Sequence, residues 1–165
     1  IKQRLGGSTA YGRAMANIDS SLGPVGTDGS GTEQTLLSVT LAANTLSVVG
    51  DKVDIYAVVY AAANARAKTI TLKFGATTLV TNDITPAPNG VIITLEARVL
   101  LVAAATQFSS AKAVCGTVNQ TPVIINPTET ASGAIIISVK GTDFPAPPPG
   151  APNDILAYVL YVNQN

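Results

Sequence analysis

The acidic side chains Asp51, Asp54, Asp83, Glu96, Glu129, Asp143 and Asp154 are where carboxylate chemistry would have to start. A glycosidase sets two carboxyls on opposite sides of one bond, in contrasting environments. Most of these acids fall instead at turns, where a short side chain is there to cap backbone N–H groups. The chain contains no histidine, so neither a Ser-His-Asp nor a Cys-His nucleophile can be assembled within it. Zinc would find neither imidazole nor clustered thiolates. Asp28-Gly29-Ser30-Gly31-Thr32-Glu33 brings oxygens together without the spacing of a twelve-residue calcium loop, and reads as a flexible hinge. No glycine-rich pattern opens a helix, which removes a nucleotide cradle. Glu96 and Arg98 share one side of a predicted strand and read as a structural ion pair or a solvated rim. Cys115, the single cysteine, alternates with Ala111 and Ala113 and reads as a buried structural thiol; it excludes an intrachain disulfide. No catalytic residue, metal ligand or cofactor is expected, and the chain is read as non-enzymatic.

Aromatic residues could instead form a platform for sugars. The tyrosines are Tyr11, Tyr56, Tyr60, Tyr158 and Tyr161. Four lie in predicted strands among apolar neighbours, where packing is the default account. Tyr56, Val58 and Tyr60 from one strand and Leu156, Tyr158 and Leu160 from another are accordingly read as subunit contacts in preference to a sugar site.

The elements that position these residues are strands. Leu37, Val39 and Leu41 alternate with Ser38 and Thr40. In Asp51 to Ala61, Val53, Ile55, Ala57 and Val59 fall on one face, with Lys52, Asp54, Tyr56, Val58 and Tyr60 on the other. Further strands are predicted over Thr69 to Phe74, Thr77 to Thr81, Val91 to Val102, Gln107 to Val118, Ile135 to Thr142 and Asp154 to Val162. In the last, period two puts Leu156, Tyr158, Leu160 and Val162 opposite Ile155, Ala157, Val159 and Tyr161. The proline-rich stretch from Phe144 to Pro152 reads as a rigid inter-strand loop, with a docking peptide as the alternative. Residues 1–32 differ from the rest. Glycines punctuate them, and Tyr11, Met15, Ile18 and Leu22 recur at helical spacing. They read as an N-terminal arm or connector, either a short helix or an extended segment laid along a neighbouring subunit. Residues 33–165 then form one all-β domain of two packed antiparallel sheets.

Composition limits the partners. Ten basic and ten acidic residues cancel, and charged residues are only 12% of the chain, about half the usual share. Scattered cations and the absence of tryptophan argue against nucleic acid. The apolar run Val99 to Ala105 is too short to span a bilayer, and Ile1 to Gly7 shows no secretory signal in the sequence as given. A weakly charged surface is poor at keeping molecules apart, which fits one partly consumed by other subunits.

One stretch carries a resemblance. Leu41-Ala42-Ala43-Asn44-Thr45-Leu46-Ser47-Val48-Val49-Gly50-Asp51 leads into Val53-Asp54-Ile55-Tyr56-Ala57, and Ala61-Ala62-Ala63-Asn64-Ala65-Arg66-Ala67-Lys68-Thr69-Ile70-Thr71-Leu72-Lys73-Phe74-Gly75 follows. This resembles the jelly-roll domains of tailed-bacteriophage virion proteins, among them tail fibres, appendage tips and head fibres. The resemblance covers roughly Glu33 to Asn163. It departs at Val91-Ile92-Ile93-Thr94-Leu95, where a tryptophan-containing strand is common, and in the long proline loop. It implies a homotrimer of jelly rolls on the virion, joined to capsid or tail proteins through the N-terminal arm and able to touch a host-surface glycan or receptor. It gives structural roles to Asn44, Gly50 and Asp51 in the turn before the long strand, to Asn64 and Lys68 at the next turn, and to Gly75 after Phe74. A carbohydrate- or receptor-binding β-sandwich is the alternative, and a trimeric toxin- or cytokine-like ligand is a third class.

Overall fold

A computed structural model describes residues 16–84, 90–116, 118–144 and 152–164. Among them the regular elements are strands, as the Thr-, Val- and Ile-rich alternation dictates. They are β1 (Ala16–Gly26), β2 (Gln34–Leu41), β3 (Lys52–Ala61), β4 (Lys68–Phe74), β5 (Thr77–Ile84), β6 (Val91–Ala103), β7 (Thr106–Cys115), β8 (Val118–Asn119), β9 (Val123–Ile125), β10 (Ile135–Asp143) and β11 (Ile155–Gln164).

The strands form two antiparallel sheets. The larger runs β1-β11-β3-β6-β7-β8, with β9 also pairing β7; the smaller runs β2-β10-β4-β5. The pairings nest: β1 with β11, β2 with β10, β3 with β6 and β4 with β5. A long antiparallel ribbon folded back on itself and rolled up gives this order, which is the jelly-roll arrangement. β7, β8 and β9 extend the larger sheet between the sixth strand and the return of β10.

Inward residues fill the space between the sheets. Val53, Ile55, Ala57 and Val59 of β3 are buried, as the alternation predicts, and so are Ile93, Leu95, Val99 and Leu101 of β6. Opposite them stand Ile70, Leu72 and Phe74 of β4, with Ile137 and Val139 of β10. Each buried Leu, Ile or Phe side chain contributes roughly 1.5–3 kcal/mol of transfer free energy. β7 departs from this chemistry. Its inward Gln107 and Ser109 are fully buried and pin the following segment. Gln107 donates to the Glu129 carbonyl and accepts from the Glu129 N–H, at 2.9 and 3.0 Å, and Ser109 donates to the Ile125 carbonyl at 2.8 Å.

Three expectations need correction. The boundary expected between an arm over 1–32 and a domain over 33–165 does not match a break in the fold. From Ala16 the chain is already β1, the first strand of the rolled ribbon, hydrogen-bonded to its own β11. The helical spacing up to Leu22 was misleading because β1 is irregular: its register shifts between Asn17 and Asp19 and again between Leu22 and Val25, around Pro24. Such bulges erase the period of two by which a strand is read. Residues 1–15, Tyr11 and Met15 included, lie outside the described residues, as do residues 145–151 of the proline loop. Second, the strand expected to continue from Gln107 to Val118 stops at Cys115, where Gly116 adopts φ 59° and the chain reverses into β8. Third, period two fails within β11. The register shifts between Ala157 and Val159, leaving Tyr158 as an extra residue, so Ile155 and Ala157 point inward before the shift and Leu160 and Val162 after it.

Candidate functional site: the outer face of the larger sheet

The turns named from the sequence are structural positions. Asn44 (φ 62°) and Gly50 (φ 100°) take left-handed conformations. The Asp51 carboxylate accepts from the backbone N–H groups of Ser47 and Val48 at 2.9 and 2.8 Å. Gly50 and Asp51 also tie this turn to β6, through Gly50 N–H to the Leu101 carbonyl and Leu101 N–H to the Asp51 carbonyl. Gly75 opens the β4–β5 hairpin at φ 59°. A side chain there would collide with the Glu129 carboxyl group, because that carboxylate caps the hairpin by accepting from the Ala76 and Thr77 N–H groups.

Asn64 and Lys68 belong to a buried polar node. The Lys68 ammonium donates to Asn64 Oδ1 at 2.5 Å and to the Arg66 carbonyl at 3.2 Å. Asn64 Nδ2 donates to Asp154 Oδ1 at 2.7 Å, and Arg66 pairs with Asp154 Oδ2 at 3.1 Å. Asp143, cross-strand partner of Lys68, is also buried. Burial pulls the Lys68 ammonium below the usual lysine range, against the opposing pull of Asp154. The node ties the β3–β4 turn to the start of β11. The Asp28–Glu33 stretch, read as a hinge, is an internally bonded turn in which Asp28 Oδ1 accepts from the Ser30 N–H and Gln34 bonds at both ends. Hydrogen bonds from Ser30, then from Gln34, hold the Asp28 carboxyl below its usual value. Among the described residues no group of three or more His, Cys, Asp or Glu side chains could hold a metal ion. Cys115 is half-buried at the end of the Ala111, Ala113 face.

The outward surfaces of the two sheets differ. The smaller sheet shows Ser38, Ser138 and Lys73 side by side, then Thr35, Lys140 and Thr71, then Thr142, Thr69 and Asp83. Glu33 bridges Lys140 and Lys73 at 2.7 and 3.6 Å, and Thr69 donates to Asp83. Ile136 is its exposed apolar exception.

The larger sheet carries apolar rows. Leu22, Val159, Val58, Thr94 and Val114 are direct neighbours across β1, β11, β3, β6 and β7, and Leu156, Tyr60 and Ile92 form the row beside them. Leu22 is 69% exposed, Ile92 61% and Val118 65%. Tyr60 is covered in part by its own chain: a side chain on Gly90 would collide with its hydroxyl. The next rows are polar and aromatic. Tyr161, Tyr56, Glu96 and Lys112 align in one, and Asn163, Asp54, Arg98 and Ser110 in the other. Glu96 and Arg98, read together from the sequence, do not pair with each other. Each bonds to an adjacent strand, Glu96 to Lys112 at 3.0 Å and Arg98 to Asp54 at 2.5 Å, because cross-strand neighbours are closer than i, i+2 neighbours along a strand. Asp54 raises the Arg98 guanidinium above its ordinary value.

Of the expected subunit contacts, Tyr56, Val58, Tyr60 and Leu156 share this outer face, and Tyr158 is exposed at the bulge. Leu160 does not belong with them. The bulge turns it into the core, where it is fully buried. Sequence reasoning missed Leu22, Ile92 and Tyr161 as members of the face. Ile92 lay in plain view on the predicted outer side of its strand, but Tyr161 joins the row only because of the bulge at Tyr158.

No protein-family model matches the chain, and no curated protein matches it. Among solved structures, the VP2 subviral particle of infectious bursal disease virus aligns at 13% identity with a TM-score of 0.36, over 92% of this chain and 31% of that one. At that score the likeness decides neither fold nor function, and the chain spans less than a third of that protein.

Proposed function

We propose that the chain is a non-enzymatic virion structural protein of a bacteriophage, a capsid-decoration, head-fibre or tail-appendage subunit, that trimerises through the apolar half of the larger sheet's outer face. The observation that carries this reading is the contrast between the two outer faces. Both sheets bury their inner faces equally well, yet only the larger leaves rows of Leu, Ile, Val and Tyr in water. A contiguous apolar patch on one face of a monomer marks an interaction surface, and identical subunits about a closed axis are the commonest way to cover one. The phrase from Leu41 to Gly75 adds the phage resemblance, and its Asn44, Gly50, Asp51, Asn64, Lys68 and Gly75 all occupy turns or the buried node. The segment preceding β1 is where other virion proteins would attach.

Light-scattering mass across protein concentrations tests the assembly. A mass of three chains that falls to one in Ile92→Lys is the expected result, and a single-chain mass throughout would overturn it. A solitary carbohydrate- or receptor-binding module is the second reading, favoured by the side-by-side placement of Tyr56 and Tyr161 and predicting that single-chain mass.

A further inference from the structure

Beside the apolar rows, the larger sheet's outer face dips into a groove of about 510 Å³ whose lining includes Tyr56, Asp54, Arg98, Glu96 and Lys112. Its chemistry differs from that of the apolar half. A second copy of the chain seated here would have to strip water from two carboxylates and two cations, a cost that exposed ion pairs do not recover. The groove is thus a poor continuation of the subunit contact. A peptide strand has nothing to pair with, since β3, β6 and β11 are interior to the sheet and their backbone groups are already bonded. A phosphate chain would meet carboxylates as often as cations.

A pyranose has what the groove asks for. Its C–H face is apolar and its rim of hydroxyls both donates and accepts. Tyr56 lines the groove, and its cross-strand partner Tyr161 stands beside it, outside that lining; at 40% and 38% exposed, they offer two adjoining rings to C–H faces. Glu96 and Asp54 supply acceptors; Lys112 and Arg98 supply donors, each cation held in place by the carboxylate beside it. Such pairs are ordered before a ligand arrives, which lowers the entropy lost on binding. From Tyr161 to Lys112 the row crosses four strands, three spacings of roughly 4.8 Å, about 14 Å in all, enough for a short oligosaccharide. The charges cancel, so the groove does not select an anionic sugar.

We infer that this groove binds a neutral oligosaccharide, Tyr56 and Tyr161 stacking on its rings while the Asp54–Arg98 and Glu96–Lys112 pairs hydrogen-bond its hydroxyls. The site deepens the host-surface part of the proposed function, on which its biological use rests; its binding chemistry is independent of the number of subunits. A shallow, open site gives weak single-site affinity, on the order of 1 mM, which three copies on one particle would raise by avidity.

The test is a printed array of neutral and sialylated glycans probed with the full-length chain in its native assembly. Amide-resonance titration of the best neutral glycan and its sialylated counterpart follows. Expected are signals on neutral glycans, shifts centred on Tyr56, Tyr161 and Arg98, and about tenfold weaker binding in Tyr56→Ala and Tyr161→Ala. Tyr161→Phe, which keeps the ring, should stay within about twofold. An array silent for every neutral glycan would overturn the inference, as would shifts centred elsewhere or clearly tighter binding of the sialylated counterpart. So would a fall in mass caused by Tyr56→Ala, since that would make this row a subunit contact. Loss of sugar binding with the three-chain mass retained removes the groove alone. Sugar binding by a single-chain species removes the trimer alone.

Discussion

The outer surfaces of the two sheets are built on the same backbone and bounded by the same core, but they follow different rules. On the smaller sheet the outer side is polar: Ser38, Thr69 and the Glu33-bridged lysines reach solvent, while Ser138 and Thr71 in the same rows are buried. On the larger sheet the corresponding positions hold Leu22, Val58, Val159, Tyr60 and Ile92. Stability of the single chain does not explain the second choice, because the inner faces already form the core. The difference teaches that one outer side of this molecule leaves apolar residues exposed in the single chain, while the other presents polar rows to solvent.

The strongest way to break that comparison is within β11, where neighbouring residues fall on opposite sides of it. Leu160→Ala removes a fully buried side chain and should cost about 2–5 kcal/mol in chemical denaturation. Tyr158→Ala, two residues away and exposed, should change the stability of the isolated chain by only about 0.5 kcal/mol. Equal losses would mean that the bulge does not divide the strand as described. At the level of assembly, Ile92→Lys on the larger sheet should reduce the light-scattering mass to that of one chain, while Ile136→Lys on the smaller sheet leaves it unchanged. If both variants disperse the particle, the two faces are not functionally distinct.

Two titrations give smaller effects. Lys68 carries a depressed pKa in the folded chain, so between that value and the ordinary lysine value of 10.5 the unfolded chain binds more protons. Stability gained from this group therefore rises with pH through that window. Thermal unfolding of the native chain relative to Lys68→Met should show this alkaline rise, and parallel curves would refute it. Glu33, lowered by its hydrogen bond from Lys140, follows the same sign in the acid range. Its contribution is present above the ordinary glutamate value of 4.5 and fades as pH falls through the folded value. Glu33→Gln should lose slightly less stability on acidification, a slight difference for a partly exposed pair.

The sequence was legible wherever alternation was uninterrupted. β2, β3, β4, β6 and β10 were readable with their inner faces, because period two in Val, Ile and Leu has one meaning on a half-buried strand. It failed wherever the backbone added a residue. The bulges of β1 hid a strand as an arm, and the one at Tyr158 sent Leu160 to the wrong side and concealed Tyr161. The polar contacts were invisible for another reason. Asn64 meets Asp154, and Gly75 meets Glu129, only after the ribbon has rolled, and no local pattern records partners so far apart along the chain. Outer-face chemistry was visible as residue types, while its division into an apolar half and a charged groove depended on register.

Ala16 stands opposite Gln164, and β1 lies beside β11 at the edge of the larger sheet. The two extremities of the sandwich therefore leave it at the same end. A pull applied through both would open that edge like a zip, breaking hydrogen bonds one after another instead of shearing them together. A pull borne by the leading end alone, with the knob otherwise free, would put no load across the roll. As a mechanical part, the domain is suited to being carried on a single tether and ill suited to serving as a link in a chain under tension.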